Sequence, residues 1–541
     1  MKNAKIIYGA CLSALLAIGG LTGCKGNRSG ADKYDKQGRL ILELKNVYFD
    51  TWDGSDTYTE TLNEKFGVKI TPTNYDYNSW DEMVNIAVNG NNLTDAIHFN
   101  LKAYNFGSTY EKWVEGQVIK ALPDDMSKWP NLQKMLNNVS NIDKLKYDGK
   151  LYCIPIMNDT VNYEKDFSNF TYVYRRDWVK KIDAMPANAS NPDYIPLYHE
   201  GDVYTWAEFN RILEAFKTNI KALAGTDQAS ALMDESWGFP SVTNFYKNVP
   251  HCFDKDDSGR AINAFTSDAY MKGLEEAKRM MSDKLYSPDQ FLAKENTAND
   301  AYRGGKIGVL YDNFSLTNYS KLREYMRKAE KLDDVTAIMK IKGTDGKFAL
   351  EGTENWFSAT MFNYDISEKK LNKILDVIDY LLSEEGTRLA IYGTEGYDYN
   401  IVNGEVELTE KGWEKGSDGK YAPKVNGAKY LRYMASLGNE TKAIDPFTDM
   451  DAYKILNDWY TEMKAAKDAN PSQLRVVKEP ADIDWMSTPT KNDETESLLA
   501  DANDAALKYA NSKLTKDEYL KKFDTASWTK VLKEINEKLG F

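Results

Sequence analysis

Residues 40–73 read LILELKNVYFDTWDGSDTYTETLNEKFGVKITPT, and two hydrophobic periods inside them set the architecture. Leu40, Leu42 and Leu44 alternate and run on into Val47 and Phe49, the pattern of a strand with one face buried. Thr57 to Phe66 then reads as a short helix and Val68 to Thr73 as a second strand. Further out, Trp80, Met83, Val84 and Ala87 recur at helical spacing and stop at Asn89-Gly90, a suitable helix end. Ala96 to Phe99 makes a third strand, with Tyr104 to Val114 helical after it. Strands and helices alternating at such short intervals imply parallel strands joined by crossover helices, the α/β class.

A second αβ region begins after Leu151-Tyr152-Cys153-Ile154-Pro155, with Thr171 to Tyr174 as its clearest strand. The helix expected at 206–217 has a marked start: Thr205 can cap, Glu208 stands three residues on, and Tyr204 can staple against Phe209, which makes Trp206 a packing residue. Helices at 268–283 and 369–382 each carry an apolar face, Tyr270, Leu274, Ala277 and Met281 in one and Leu371, Ile374, Leu375 and Ile378 in the other. Asp148-Gly149, Asp345-Gly346 and Asp418-Gly419 punctuate short β segments.

The N-terminus carries Lys2 and Lys5, then no charge from Ile6 to Cys24, with an apolar centre from Ala10 to Ile18 broken by Gly19, Gly20 and Gly23. That is the layout of a secretory signal; it is too short and too glycine-rich for a span of about 20 apolar residues. Leu21-Thr22-Gly23-Cys24 is similar to the bacterial lipobox, in which the chain is cut before the cysteine and the thiol is acylated. Residues 1–23 are therefore read as a signal peptide, Cys24 as the lipidation site, and 24–39 as a tether. The remaining 518 residues exceed what a single core usually supports, so two lobes are expected. A net charge of −13 repels phosphate backbones and argues against nucleic acid. Cys153 and Cys252 are read as two separate buried thiols.

Catalytic motifs are absent. There is no Gly-x-Ser-x-Gly elbow and no His-Glu-x-x-His pair, and Gly304-Gly305-Lys306-Ile307 lacks the features of a phosphate loop. His98, His199 and His251 stand apart, without metal-ligand spacing. Asp254 to Gly259 opens like a calcium loop, but its twelfth position is Phe265 where a bidentate Glu is needed, so it reads as a hairpin turn. No metal and no cofactor are expected. Paired carboxylates remote in sequence leave a surface glycosidase as the enzymatic rival.

The chain is rich in aromatic residues, with 35 Tyr, 20 Phe and 12 Trp. Most belong in cores, but three clusters fall at strand ends, where βαβ architecture places binding clefts. They are Phe49-Asp50-Thr51-Trp52-Asp53, His98-Phe99-Asn100 and Tyr311-Asp312-Asn313. Sugars present apolar C–H faces ringed by hydroxyls, so flat aromatic surface beside Asp and Asn suits them.

The order of segments resembles extracellular solute-binding lipoproteins of bacterial ABC importers, the carbohydrate-binding group, and especially its long LplA-like type. The likeness is carried by the lipobox at Cys24 and by Asp148-Gly149-Lys150-Leu151-Tyr152-Cys153-Ile154-Pro155, where Cys153 replaces a common glycine. It continues in Tyr172-Val173-Tyr174-Arg175-Arg176-Asp177-Trp178, Tyr204-Thr205-Trp206-Ala207-Glu208-Phe209 and Tyr302-Arg303-Gly304-Gly305-Lys306-Ile307-Gly308. Ser383-Glu384-Glu385-Gly386 followed by Tyr392-Gly393-Thr394-Glu395-Gly396-Tyr397-Asp398-Tyr399 is its most specific part.

The resemblance implies a two-lobed, periplasmic-binding-protein-like α/β fold, each lobe a mostly parallel sheet flanked by helices, with crossing hinge segments. Lobe 1 would be 40–153 and 350–398, and lobe 2 would be 154–349 and 399–541. It implies capture of a carbohydrate, an oligosaccharide above all, between the lobes and delivery to ABC importer permease subunits, without catalysis; peptide or another solute is the alternative cargo. Trp52, Asp53, His98, Asn100, Asn158, Asp159, Tyr311, Asp312, Asn313, Trp356 and Trp485 are the expected ligand-binding residues. The expected protein is a monomer held by lipid on Cys24 at the extracellular face of the bacterial cytoplasmic membrane, or in the periplasm of a cell with an outer membrane.

Overall fold

The computed structural model describes residues 32–541 except 77–78, 102–105, 159–166, 236–238, 247–251, 288, 291–296, 416–420, 423, 438–448 and 478. The signal, Cys24 and Asp159 lie outside the described residues. Two large sheets organise the rest. In chain order their strands are β1 (Leu40–Asn46), β2 (Val68–Asn74), β3 (Ala96–Phe99), β4 (Cys153–Met157), β5 (Phe170–Tyr174), β6 (Val203–Thr205), β7 (Ser230–Asp234), β8 (Ile307–Asn313), β9 (Ala337–Lys342), β10 (Phe348–Glu351), β11 (Trp356–Phe362) and β12 (Leu474–Val477).

The first sheet has the order β2-β1-β3-β11-β4. The leucines of β1 are buried and pair in parallel register with β2, Leu42 opposite Ile70, and helix Thr57–Phe66 makes the crossover between them. Asp56 caps that helix by accepting from the Tyr58 and Thr59 amides, and Gly67 ends it in the left-handed region at φ 63°. The second sheet has the order β12-β10-β9-β5-β8-β7, with β6 pairing β9. Both sheets are mixed where mostly parallel ones were expected. The reason is the returning chain: β11 runs antiparallel to β3 and β4, and β5 runs antiparallel to β8 and β9.

Helix Trp206–Ala224 starts with the expected capping box, the Glu208 amide donating to Thr205 Oγ1 at 3.3 Å and the Thr205 amide to Glu208 Oε2 at 2.8 Å. Its apolar face, Phe209, Ile212, Leu213 and Phe216, is wholly buried in the second core, with Trp206 packed beside it. Cys153 and Cys252 are buried and unpaired. The expected turn falls at 256–260, between the short antiparallel strands Phe253–Lys255 and Ala261–Asn263, with Asp256 accepting from the Ser258 and Arg260 amides.

Several boundaries differ from the expected ones. β4 belongs to the first sheet and β10 to the second, so lobe 1 runs to Met157 and lobe 2 to Glu351. Helix Gly427–Arg432 was expected in lobe 2, but Ala428, Leu431, Met434 and Ala435 are buried in the first core. Their small and apolar side chains fill the space between helices Thr57–Phe66 and Glu368–Leu382, and Thr360 Oγ1 donates to the Met434 carbonyl at 2.7 Å. The tether is also shorter than 24–39: Ser367 Oγ donates to Asp32 Oδ1 at 2.6 Å and Lys369 Nζ to the Tyr34 hydroxyl at 2.9 Å, which holds residues 32–34 on lobe 1.

The chain passes between the lobes three times, and described parts of these crossings bond to one another. The Asn158 amide donates to the Asn355 carbonyl at 2.8 Å, and the Ser168 amide to the Glu351 carbonyl at 2.7 Å. Met157 pairs with the stretch before the third crossing, its amide donating to Ala435 O at 2.9 Å and its carbonyl accepting from Leu437 N at 3.1 Å. A buried ion pair pins the first sheet to its helix: Lys370 Nζ lies 2.9 Å from both oxygens of Asp95, and Asp95 Oδ2 also accepts from the Glu43 amide. Removing one partner leaves an uncompensated buried charge. Asp95→Ala should therefore cost roughly 3–5 kcal/mol in urea unfolding, and an Asp95→Leu/Lys370→Met double variant should recover most of it.

Candidate ligand-binding site between the lobes

The strand directions mark out a candidate site. β1 and β3 end, and β11 begins, at the edge of the first sheet from which the crossings leave; β8 and β10 end, and β5 begins, at the facing edge of the second. Binding groups collect outside such strand ends.

On the first lobe this edge carries half-buried aromatic rings in a connected run. Tyr48 follows β1 in a short 3-10 turn held by Asn46 Oδ1, which accepts from the Tyr48 amide at 2.9 Å. Its ring stands 6.2 Å from Phe357 and 6.0 Å from Tyr433, edge to face in both cases. Tyr433 meets Tyr430 at 6.2 Å, and Tyr430 stacks on Trp52 at 5.6 Å with 16° between the planes. Trp52 itself is buried: its indole N–H donates to Asp56 Oδ2 at 2.7 Å and to Thr59 Oγ1 at 3.1 Å. Gly427 permits that approach, since a Cβ there would stand 1.9 Å from Thr59 Oγ1 and 2.8 Å from the Trp52 indole nitrogen.

His98 lies beneath the run. It is fully buried, its Nε2 is 2.7 Å from Ser358 Oγ, its Nδ1 has no partner, and its ring packs 4.3 Å from Trp80 and 5.5 Å from Tyr48. Burial pushes its pKa well below the usual imidazole value, so it is a neutral support for the wall. Asn100 is half-buried, 3.5 Å from Asp81 Oδ2, and Asp53 is exposed and accepts from the Ser55 amide.

The second lobe offers buried acceptors. Tyr311 is 3% exposed, and its hydroxyl donates to Glu351 Oε1 at 3.2 Å and accepts from Asn244 Nδ2 at 3.0 Å. Asn244 Oδ1 is buried without a partner. Beside it, Asp234 Oδ2 accepts from the Ser241 amide at 3.2 Å and the Tyr286 hydroxyl at 3.3 Å, while Oδ1 has no partner. Asp312, also buried, accepts from Asn299 Nδ2 at 2.7 Å; Asn313 is half-buried and its Oδ1 is unsatisfied. Burial raises the pKa values of Asp312 and Glu351, and that of Asp234 to about 7. Orphaned buried acceptors favour a ligand rich in donors.

Three of the expected residues make contacts within the protein. Asn158 is committed to the crossing, its Nδ2 donating to the Glu354 carbonyl at 2.8 Å. Trp356 donates to the Ser140 carbonyl at 3.0 Å and packs 6.0 Å from Trp485, which seats a residue of the C-terminal part in the first core. Tyr48, Phe357, Tyr430 and Tyr433 were missed. Tyr48 carried a signal, since it stands immediately before the quoted cluster that begins at Phe49, but the other three reach the wall only through distant parts of the chain. A separate groove of about 470 Å³ on the exposed face of helix Trp206–Ala224 has Tyr194 as its lone aromatic lining and faces neither strand edge.

Alginate-binding protein AlgQ2, solved without calcium ion, superposes with a TM-score of 0.61 at 14% identity, covering 93% of this chain and 98% of that one. The chain shares that protein's fold. A second member of that fold, the S. pneumoniae ABC-transporter substrate-binding protein FusA in complex with kestose, gives a TM-score of 0.58 at 16% identity over 93% of this chain and 99% of its own. By sequence, lipoprotein LipO of Bacillus subtilis (strain 168) is 22% identical over 363 residues, and the chain spans 66% of that relative's length. No family model matches the chain.

Two outcomes test the wall and its facing acids. Gly427→Ala should separate helix Gly427–Arg432 from Trp52, lowering the melting temperature and costing roughly 1–3 kcal/mol. The folded pKa of Asp234, about 7, lies above its ordinary 3.8, so its proton stabilises the folded state fully below that lower value and the contribution is lost as pH rises through 7. Relative to Asp234→Asn, the wild-type melting temperature should therefore fall between those two pH values in calorimetric scans.

Proposed function

We propose that this chain is a lipid-anchored extracellular substrate-binding protein that captures an oligosaccharide between its lobes and delivers it unaltered to an ABC importer. The observation that carries this reading is the pairing of an aromatic wall on one lobe with buried, donor-seeking acceptors on the other. A sugar's C–H face stacks on the rings while its hydroxyls donate to Asp234, Asn244 and Glu351. Names of the similar proteins support it: one is described as alginate-binding, another was solved with kestose, and the sequence relative is a lipoprotein.

Ligand that touches both lobes favours their approach, by no more than its differential affinity for the closed arrangement. The bonded crossings supply the hinge. Among the described residues no helix is long and apolar enough to cross a membrane, and acylation of Cys24 provides the anchor in this reading. Anchoring keeps the captured solute near the permease and raises its effective concentration there.

A thermal-shift screen of the chain lacking residues 1–24, against mono- and oligosaccharides and against peptides, tests the proposal. A cognate glycan at roughly a hundredfold excess over its Kd should add about 2.7 kcal/mol of stability, and chromatography should recover it unchanged. Stabilisation by peptides alone would overturn the cargo class, and a hydrolysed glycan would favour the carboxylate-pair chemistry of a glycosidase.

A further inference from the structure

The angles between the wall rings carry information about the shape of the guest. Phe357 and Tyr48 meet at 75°, Tyr48 and Tyr433 at 74°, and Tyr433 and Tyr430 at 85°. Each ring thus stands nearly perpendicular to the next, at centroid steps of 6.0–6.2 Å that are comparable to the advance of one sugar unit along a glycan. A β-1,4-linked ribbon holds its sugar faces in one plane, so it can lie parallel to at most every second ring. A glycan whose sugar planes turn at each linkage can present a C–H face to successive rings.

The geometry is fixed before ligand arrives. Trp52 backs Tyr430 and is itself hydrogen-bonded to Asp56 and Thr59, His98 lies behind Tyr48, and edge-to-face contacts hold the rings against one another. A pre-organised wall loses little side-chain entropy on binding, and a flat guest could use it fully only by breaking those contacts.

We infer that the site selects oligosaccharides of at least three units whose sugar planes turn at each linkage, such as α-1,4-glucans or fructans, over flat β-1,4 ribbons, with Tyr48, Tyr433 and Phe357 as the selecting residues. This rests on the carbohydrate reading above and specifies the shape of its cargo.

Calorimetric titration of the chain lacking residues 1–24 with maltotetraose, nystose and cellotetraose, alongside maltose, tests it. At least one turning tetrasaccharide should bind about tenfold tighter than cellotetraose and than maltose, a difference of about 1.4 kcal/mol. Tyr433→Leu should erase most of that preference, whereas Tyr397→Leu, an exposed tyrosine outside the wall, should preserve it. Phe357→Leu gives a second reading should Tyr433→Leu lower the unliganded melting temperature. Cellotetraose binding as tightly as the turning glycans, or a disaccharide binding as tightly as any tetrasaccharide, would overturn the inference and leave the carbohydrate reading standing. Binding of no glycan at all would overturn both.

Discussion

Everything in this molecule depends on the chain crossing between its lobes three times. Each crossing leaves backbone amides and carbonyls outside a large sheet, where buried polar groups are costly unless paired. The crossings satisfy one another: Asn158 bonds to Asn355, Ser168 to Glu351, and Met157 to Ala435 and Leu437. That mutual pairing explains why Asn158 bonds Glu354 with its side-chain amide rather than a guest.

The two facing edges are chemically unlike. The first lobe presents rings, held by Trp52 and His98 from below, and so offers dispersion and C–H contact. The second presents carboxylates and an amide in surroundings dry enough to raise Asp234, Asp312 and Glu351 above ordinary carboxylate values. Under the proposed function neither edge alone would suit a sugar, whereas the two together would meet its apolar face and its hydroxyl rim. On that proposal binding and approach of the lobes would be coupled, because the full set of contacts would exist only when both edges reach the same guest.

Two of the residues that the resemblance puts at the ligand make packing contacts within the protein. Trp356 and Trp485 pack on each other where the C-terminal part enters the first core. Large aromatic side chains serve either purpose equally well in a sequence. The partner ring decides, and for these two the partners are 129 positions apart.

Local periodicity determined the strands and helices: the leucines of β1, the helix at 57–66 and the capping box at Thr205 each depend on residues within a few positions. The extension of the first core past 398 to Ala435, the run of Tyr48, Phe357, Tyr433 and Tyr430, and the cluster of Asp234, Asn244, Tyr311 and Glu351 were decided only by tertiary structure. Those groups come together from segments remote in the chain through sheet register and helix packing, and hydrophobic spacing along a chain holds no record of which distant segment will lie beside it.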